Sequence, residues 1–134
     1  MQKFRSNGGF SLVELMIVIV IIGVLAAVAV PIYNNNVRKA KMSEADAALG
    51  SIRTQLRVYY GENGSYPVVA VAAAVVGGAW NDIKAGELTG AYFTDANYTY
   101  VSADGVSYTI TCAANGILDS DRTLNQDGTF AGGI

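Results

Sequence analysis

The sequence contains no histidine. That removes the commonest general base. No nucleophile–base set, zinc-ligand spacing or phosphate-cradling glycine loop takes its place, so the chain reads as a non-enzyme with no cofactor. A single cysteine, Cys112, excludes an intrachain disulfide. The C-terminal part must then be held by packing, by a metal or by neighbouring subunits. Proline is scarce as well. Pro31 and Pro67 are the only two, and none interrupts residues 32–66. Polar residues are nearly missing from residues 10–33, where only Ser11, Glu14 and Pro31 break an apolar series.

What is present follows from that run. About 20 apolar residues span a bilayer, so residues 10–33 are long enough to do so. With 134 residues, the chain has room for one such anchor and one domain. Glu14 is written into a segment that otherwise prefers lipid. A carboxylate at membrane depth costs roughly 2.5–3.5 kcal/mol on insertion scales, so it calls for a partner. Ser11-x-x-Glu14 ahead of an apolar run is also a capping-box signature, and a first-turn acid suits the helix dipole. The two roles are compatible.

The order of the N-terminal parts is unusual. A secretory signal runs basic, apolar, then small residues at the cut. Here Lys3 and Arg5 are followed at once by Gly8-Gly9, and the apolar segment comes after that pair. Cleavage after Gly9 would leave the apolar segment on the mature chain, with a new amine on Phe10, four residues from Glu14. It would also take two of the nine Lys and Arg, leaving seven against eleven Asp and Glu. That balance argues against a general nucleic-acid coat.

This order, with Gly8-Gly9-Phe10-Ser11-Leu12-Val13-Glu14-Leu15, closely resembles the class III signal of type IV pilins and pseudopilins. The resemblance is specific over residues 1–33. It extends more loosely through residues 38–67, including Tyr59-Tyr60 and Tyr66-Pro67, and beyond that is a general pilin-like pattern. It implies that a prepilin peptidase removes a leader, residues 1–9, and that the Phe10 amine is methylated. It implies that Glu14 pairs with the N-terminal amine of a neighbouring subunit. At 4 Å such a pair is worth about 4 kcal/mol at an effective dielectric of 20, before desolvation. It further implies a precursor in the inner membrane, inner-membrane assembly machinery, and a homo-oligomeric helical filament at the cell surface. Many pilins staple their C-terminal region with a disulfide, and this chain departs from that pattern. Lys3 and Arg5 favour a cytoplasmic leader, whereas Arg38, Lys39 and Lys41 beyond the span run against the positive-inside rule. The resemblance decides for the cytoplasmic leader.

Past the anchor, Met42, Ala45, Leu49, Ile52, Leu56 and Tyr59 follow a 3-4 spacing that draws one apolar stripe along a helix. With Gly61 and Gly64 as stops, one helix is expected over residues 10–61, roughly 75–80 Å long. Gly23 and Pro31 weaken it. They either kink it, as is common in membrane helices, or mark the stretch that melts in family filaments when the subunit leaves lipid. Residues 68–76 are Ala/Val-rich and fit a helix or a strand. Residues 80–88 suggest a short helical turn. Residues 97–102 and 106–112 flank Ala103-Asp104-Gly105, a hairpin signal. In the second strand Val106, Tyr108, Ile110 and Cys112 alternate with polar residues. Residues 123–126 and 129–130 around Asp127-Gly128 suggest a last short hairpin. The expected fold is α+β: a spine helix, its apolar half protruding, packed across a small antiparallel sheet. The expected organisation is leader 1–9, apolar helix half 10–33 and globular head 34–134.

Other candidates have plainer readings beside them. Asp119, Asp121, Asn125 and Asp127 offer oxygen ligands for calcium, as in some type II secretion pseudopilins, but they lack EF-hand spacing and read first as a solvated turn. Arg38, Lys39 and Lys41 suit lipid headgroups, acidic neighbours or DNA, the position favouring headgroups or subunits. Tyr33, Tyr59, Tyr60 and Tyr66 read as packing residues rather than as an aromatic path along the spine. Cys112 reads as an inert buried thiol. The reading is therefore a type IV pilus subunit with no specific nucleic-acid partner. The alternatives are a type II secretion pseudopilin and a membrane-anchored binding module.

Overall fold

The computed structural model describes residues 8–134. Residues 1–7 of the expected leader lie outside the described residues. Contacts divide the chain into two compact units, with the boundary between Asn36 and Val37.

One helix, α1 (Leu12–Asn63), crosses that boundary without a break in its secondary structure. Its early side chains, from Leu12 to Tyr33, are exposed throughout. This stretch is long and apolar enough to cross a membrane. Pro31 sits inside the helix and withholds one backbone donor. The helix ends two residues later than the glycine at position 61 suggests. Gly64 adopts φ +73° and donates its N–H to the Tyr60 carbonyl at 2.8 Å, while the Asn63 side chain donates to the Tyr59 carbonyl at 3.0 Å. Gly61 stays helical because the left-handed stop is made at Gly64.

In the second unit the middle of the expected stripe is buried: Ala45, Leu49, Ile52 and Leu56 are fully excluded from solvent, while Met42 and Tyr59 at its ends are half-buried. They face a five-stranded antiparallel meander of order β1-β2-β3-β4-β5. The strands are β1 (Val69–Ala74), β2 (Tyr98–Ser102), β3 (Thr109–Cys112), β4 (Arg122–Asn125) and β5 (Phe130–Ala131). Tyr98, Tyr100, Ile110, Cys112 and Leu124 supply the buried sheet face. Burying each large apolar side chain contributes about 1.5–3 kcal/mol, which gives the unit its core.

The structure resolves residues 68–76 as the edge strand β1 and its flanks. Three expectations differ in detail. Residues 80–88 form turns, not helix, and the helical piece is a 3-10 turn, Asp95–Asn97. The Asp95 carboxylate accepts the Gly86 and Leu88 N–H groups and the Thr89 hydroxyl, and Gly86 lies at φ +91°. Those bonds fold the segment around Asp95 and take its donors from a helical ladder. Asn97 joins that 3-10 turn, so β2 begins at Tyr98. Val106 is 72% exposed, not buried. Asp104 Oδ1 accepts both the Val106 and Ser107 N–H groups, at 2.9 and 3.0 Å, which holds them in a turn and delays β3 to Thr109.

Candidate functional site

The start of α1 is closed by a reciprocal cap. The Glu14 N–H donates to Ser11 Oγ at 3.2 Å, and the Ser11 N–H donates to Glu14 Oε2 at 3.3 Å. The capping box legible in the sequence is therefore formed. Both residues are exposed, and so are Gly8, Gly9 and Phe10, the last at 83%. Around Gly23 there is open space, and the helix continues unbroken through both Gly23 and Pro31. The first unit thus presents one carboxylate at the head of an uncovered apolar helix.

The second unit is tied to α1 by three carboxylate contacts. Glu44 accepts N–H bonds from Ala91, Tyr92 and Phe93, at 3.1, 3.0 and 2.9 Å. A Cβ at Gly90 would stand 2.3 Å from Glu44 Oε1, so only glycine admits this approach. Asp46 and Arg122 form a two-pronged pair, Nε to Oδ1 at 2.6 Å and a terminal nitrogen to Oδ2 at 3.0 Å. Arg122 also donates to the Gly132 carbonyl at 2.8 Å and stands 4.9 Å from the centre of the Phe130 ring. Arg38 pairs with Asp119. Sequence reasoning missed these ties. Glu44 and Asp46 fall beside the apolar stripe and read as solvated, and their partners are 47–49 and 76 residues away, beyond any local pattern.

Three of the four oxygen-bearing C-terminal candidates have separate local jobs, and Asp127 joins only through its N–H. Asp119 meets Arg38, Asp121 Oδ1 accepts the Ala114 N–H at 2.8 Å, and Asn125 Oδ1 accepts the Asp127 and Thr129 N–H groups. Among the described residues no three His, Cys, Asp or Glu side chains gather as a metal site.

Tyr60 and Tyr66 pack with their rings tilted by 38° at 4.8 Å, and Tyr66 meets Tyr108 edge-on at 4.7 Å. Tyr33 stands 69% exposed. Cys112 is buried and free, and burial pushes its thiol up to about 11. Burial likewise pushes Tyr100 up to about 12, and Tyr98 and Tyr108 upward. The N–H bonds from Gly86 to Asp95, and from Ser107 and Val106 to Asp104, hold those carboxyls below their ordinary value.

An exposed apolar helical stretch headed by one acid, followed by a unit closed by an antiparallel sheet, is the layout of a pilin. Family comparison agrees. The prokaryotic N-terminal methylation motif matches residues 4–30, and the family described as "Type IV minor pilin ComP, DNA uptake sequence receptor" matches residues 31–125. The fimbrial protein EcpC of Eikenella corrodens is 39% identical over 132 residues, covering 92% of this chain and 78% of that protein. A fimbrial protein of Neisseria meningitidis serogroup A is 41% identical over 76 residues, covering 57% of this chain and 44% of that protein. The type IV major pilin protein PilE1 of Neisseria gonorrhoeae is 42% identical over 67 residues, covering 50% of this chain and 41% of that protein. The chain therefore spans less than half the length of those two Neisseria relatives. No solved structure matches. The chain belongs to the type IV pilin family.

Proposed function

We propose that the protein is a structural, non-enzymatic subunit of a type IV pilus. A prepilin peptidase cuts between Gly9 and Phe10, the new amine is methylated, and the subunit waits in the inner membrane. The assembly machinery then packs it into a homo-oligomeric filament at the cell surface. The observation that carries this reading is the uncovered apolar stretch of α1, exposed along its length and headed by Glu14 alone. A helix apolar all round needs lipid or other helices about it. Glu14 pairs with the Phe10 amine of a neighbour and sets axial register. Gly23 and Pro31 mark where the helix unwinds as it leaves lipid.

The test is Glu14→Gln. The amide keeps the cap and is cheaper to bury, so membrane-bound subunit should stay at the wild-type level. Surface filaments should be lost, because the neighbour's amine is left without a counter-charge. Normal filament yield, with no wild-type subunit present, would return Glu14 to capping alone. The pseudopilin alternative predicts loss of protein secretion on deletion, with surface pili retained.

A second reading is favoured by the match over residues 31–125 to a minor pilin that is a DNA uptake sequence receptor. In that reading this chain is a minor subunit that binds DNA. Deletion would then abolish DNA uptake and leave filaments standing, whereas loss of the filaments themselves supports the major structural role. The excess of acids over cations favours the structural role.

A further inference from the structure

Arg38, Lys39 and Lys41 lie just beyond the apolar stretch, on the side where the positive-inside rule disfavours cations. The acids near them are already engaged. Asp119 pairs with Arg38, Asp46 pairs with Arg122, and Glu44 takes the N–H groups of Ala91, Tyr92 and Phe93. Among the described residues, Lys39 and Lys41 make no ion pair. Lys39 is exposed, and Lys41 Nζ stands 5.8 Å from the centre of the Tyr92 ring, itself 38% exposed. A cation without an ion pair beside a half-exposed tyrosine is the pairing found at membrane–water interfaces, where the ring sits among headgroups and the ammonium meets phosphate. Position agrees. Lys39 and Lys41 follow Tyr33, the last residue of the apolar run, by only six and eight residues in the sequence, where juxtamembrane cations meet headgroups.

We propose that Lys41, beside Tyr92, and Lys39, on another side of the same helix, each dock the headgroup of an anionic phospholipid in the unassembled subunit. This rests on the reading that the apolar stretch of α1 crosses the membrane. Two point charges next to carboxylates make a poor duplex-DNA site, which draws its affinity from many phosphate contacts. They suffice for lipid, because the span already holds the headgroups at high local concentration. The docking is given up when the subunit leaves the bilayer, so it biases the precursor toward waiting in anionic membrane.

Full-length protein in detergent micelles, titrated with phosphatidylglycerol or phosphatidylcholine and followed by native mass spectrometry, tests this. Wild type should retain phosphatidylglycerol preferentially. Each lysine should contribute about five-fold, so the K39Q/K41Q double variant should lose about 25-fold, while K39R/K41R should keep the preference. Equal retention of the two lipids by wild type, or an unchanged preference in K39Q/K41Q, overturns the proposal. Displacement of phosphatidylglycerol by a short DNA duplex at physiological salt overturns it in favour of a nucleic-acid site. Carbonate extraction of membranes separates the two levels of the argument. A subunit that washes off refutes the span, while one that stays but shows no lipid preference refutes only the docking.

Discussion

Removing the Arg122 guanidinium should destabilise the head by about 2–4 kcal/mol. Arg122 and Asp46 are 13% and 28% exposed at their side chains, between the surface and buried regimes. Exposed pairs contribute about 0–1 kcal/mol, and breaking a fully buried one costs about 3–5, so this pair should fall near 2. The bond to the Gly132 carbonyl adds about 1 kcal/mol and the Phe130 ring contact about 0.5–1. For a unit of this size, each kcal/mol moves the melting temperature by about 4–8 °C, so Arg122→Ala should lower it by about 10–25 °C. Arg122→Lys keeps the charge but loses the fork, and should recover only part of that. The assay is urea unfolding of a fragment beginning at residue 34. It is followed by emission of Trp80, the sole tryptophan, which packs on Tyr100 at 4.7 Å. A double-mutant cycle with Asp46→Asn should give a coupling of about 1–2 kcal/mol. Coupling under about 0.5 kcal/mol would show that the pair is solvated and that apolar packing alone closes the C-terminal region.

Mass spectrometry of assembled filaments should find Phe10 as the first residue, bearing one methyl group, and intact Met1 in filaments would sink the proposed processing. The fragment beginning at residue 34 should be soluble and monomeric, since its apolar stripe is covered by its own sheet; aggregation on size-exclusion chromatography would contradict that. Alkali should unfold it. Tyr100, Tyr98, Tyr108 and Cys112 have raised values in the folded state, so their stabilisation is complete below the unfolded values of about 8.5 for the thiol and 10 for the phenols. It is lost as pH climbs through the raised values, about 11 for Cys112 and about 12 for Tyr100. Tyrosinate absorbance should therefore rise in two steps, the second coinciding with unfolding. A single step near the ordinary phenol value in a still-folded head would refute the burial argument.

The sequence carried the periodic features well. The 3-4 spacing from Ala45 to Leu56 marked the buried stripe, and the alternation of Tyr108, Ile110 and Cys112 marked the buried strand face. Both follow from local geometry, which repeats every 3.6 or every 2 residues. What failed was local chemistry that competes with the repeat. Val106 satisfies the alternation, yet Asp104 captures its N–H and that of Ser107. Residues 80–88 have no proline to forbid a helix, yet Asp95 reaches back to collect Gly86 and Leu88. The ties from Glu44 and Asp46 were illegible for another reason. Each depends on a partner placed by the fold, and Glu44 also depends on the missing side chain at Gly90.

The cap and the proposed assembly role would make separable demands on Glu14, and the cap leaves one carboxylate oxygen for the second. The cap engages Oε2, through a bond of 3.3 Å from the Ser11 N–H. Oε1 has no hydrogen bond among the described residues. A neighbour's amine could therefore be accepted at Oε1 with the cap intact, and a helix start held in one orientation would present that oxygen in a fixed direction. Glutamine preserves the cap and an acceptor but removes the charge, whereas Ser11→Ala removes the cap's other half and leaves the charge. Losing the serine cap costs about 1 kcal/mol at a helix end that lipid or other helices then stabilise. Ser11→Ala should therefore reduce filaments mildly, where Glu14→Gln abolishes them. If instead Ser11→Ala and Glu14→Gln reduce filament yield equally, orientation of the helix start, and not the charge, governs assembly.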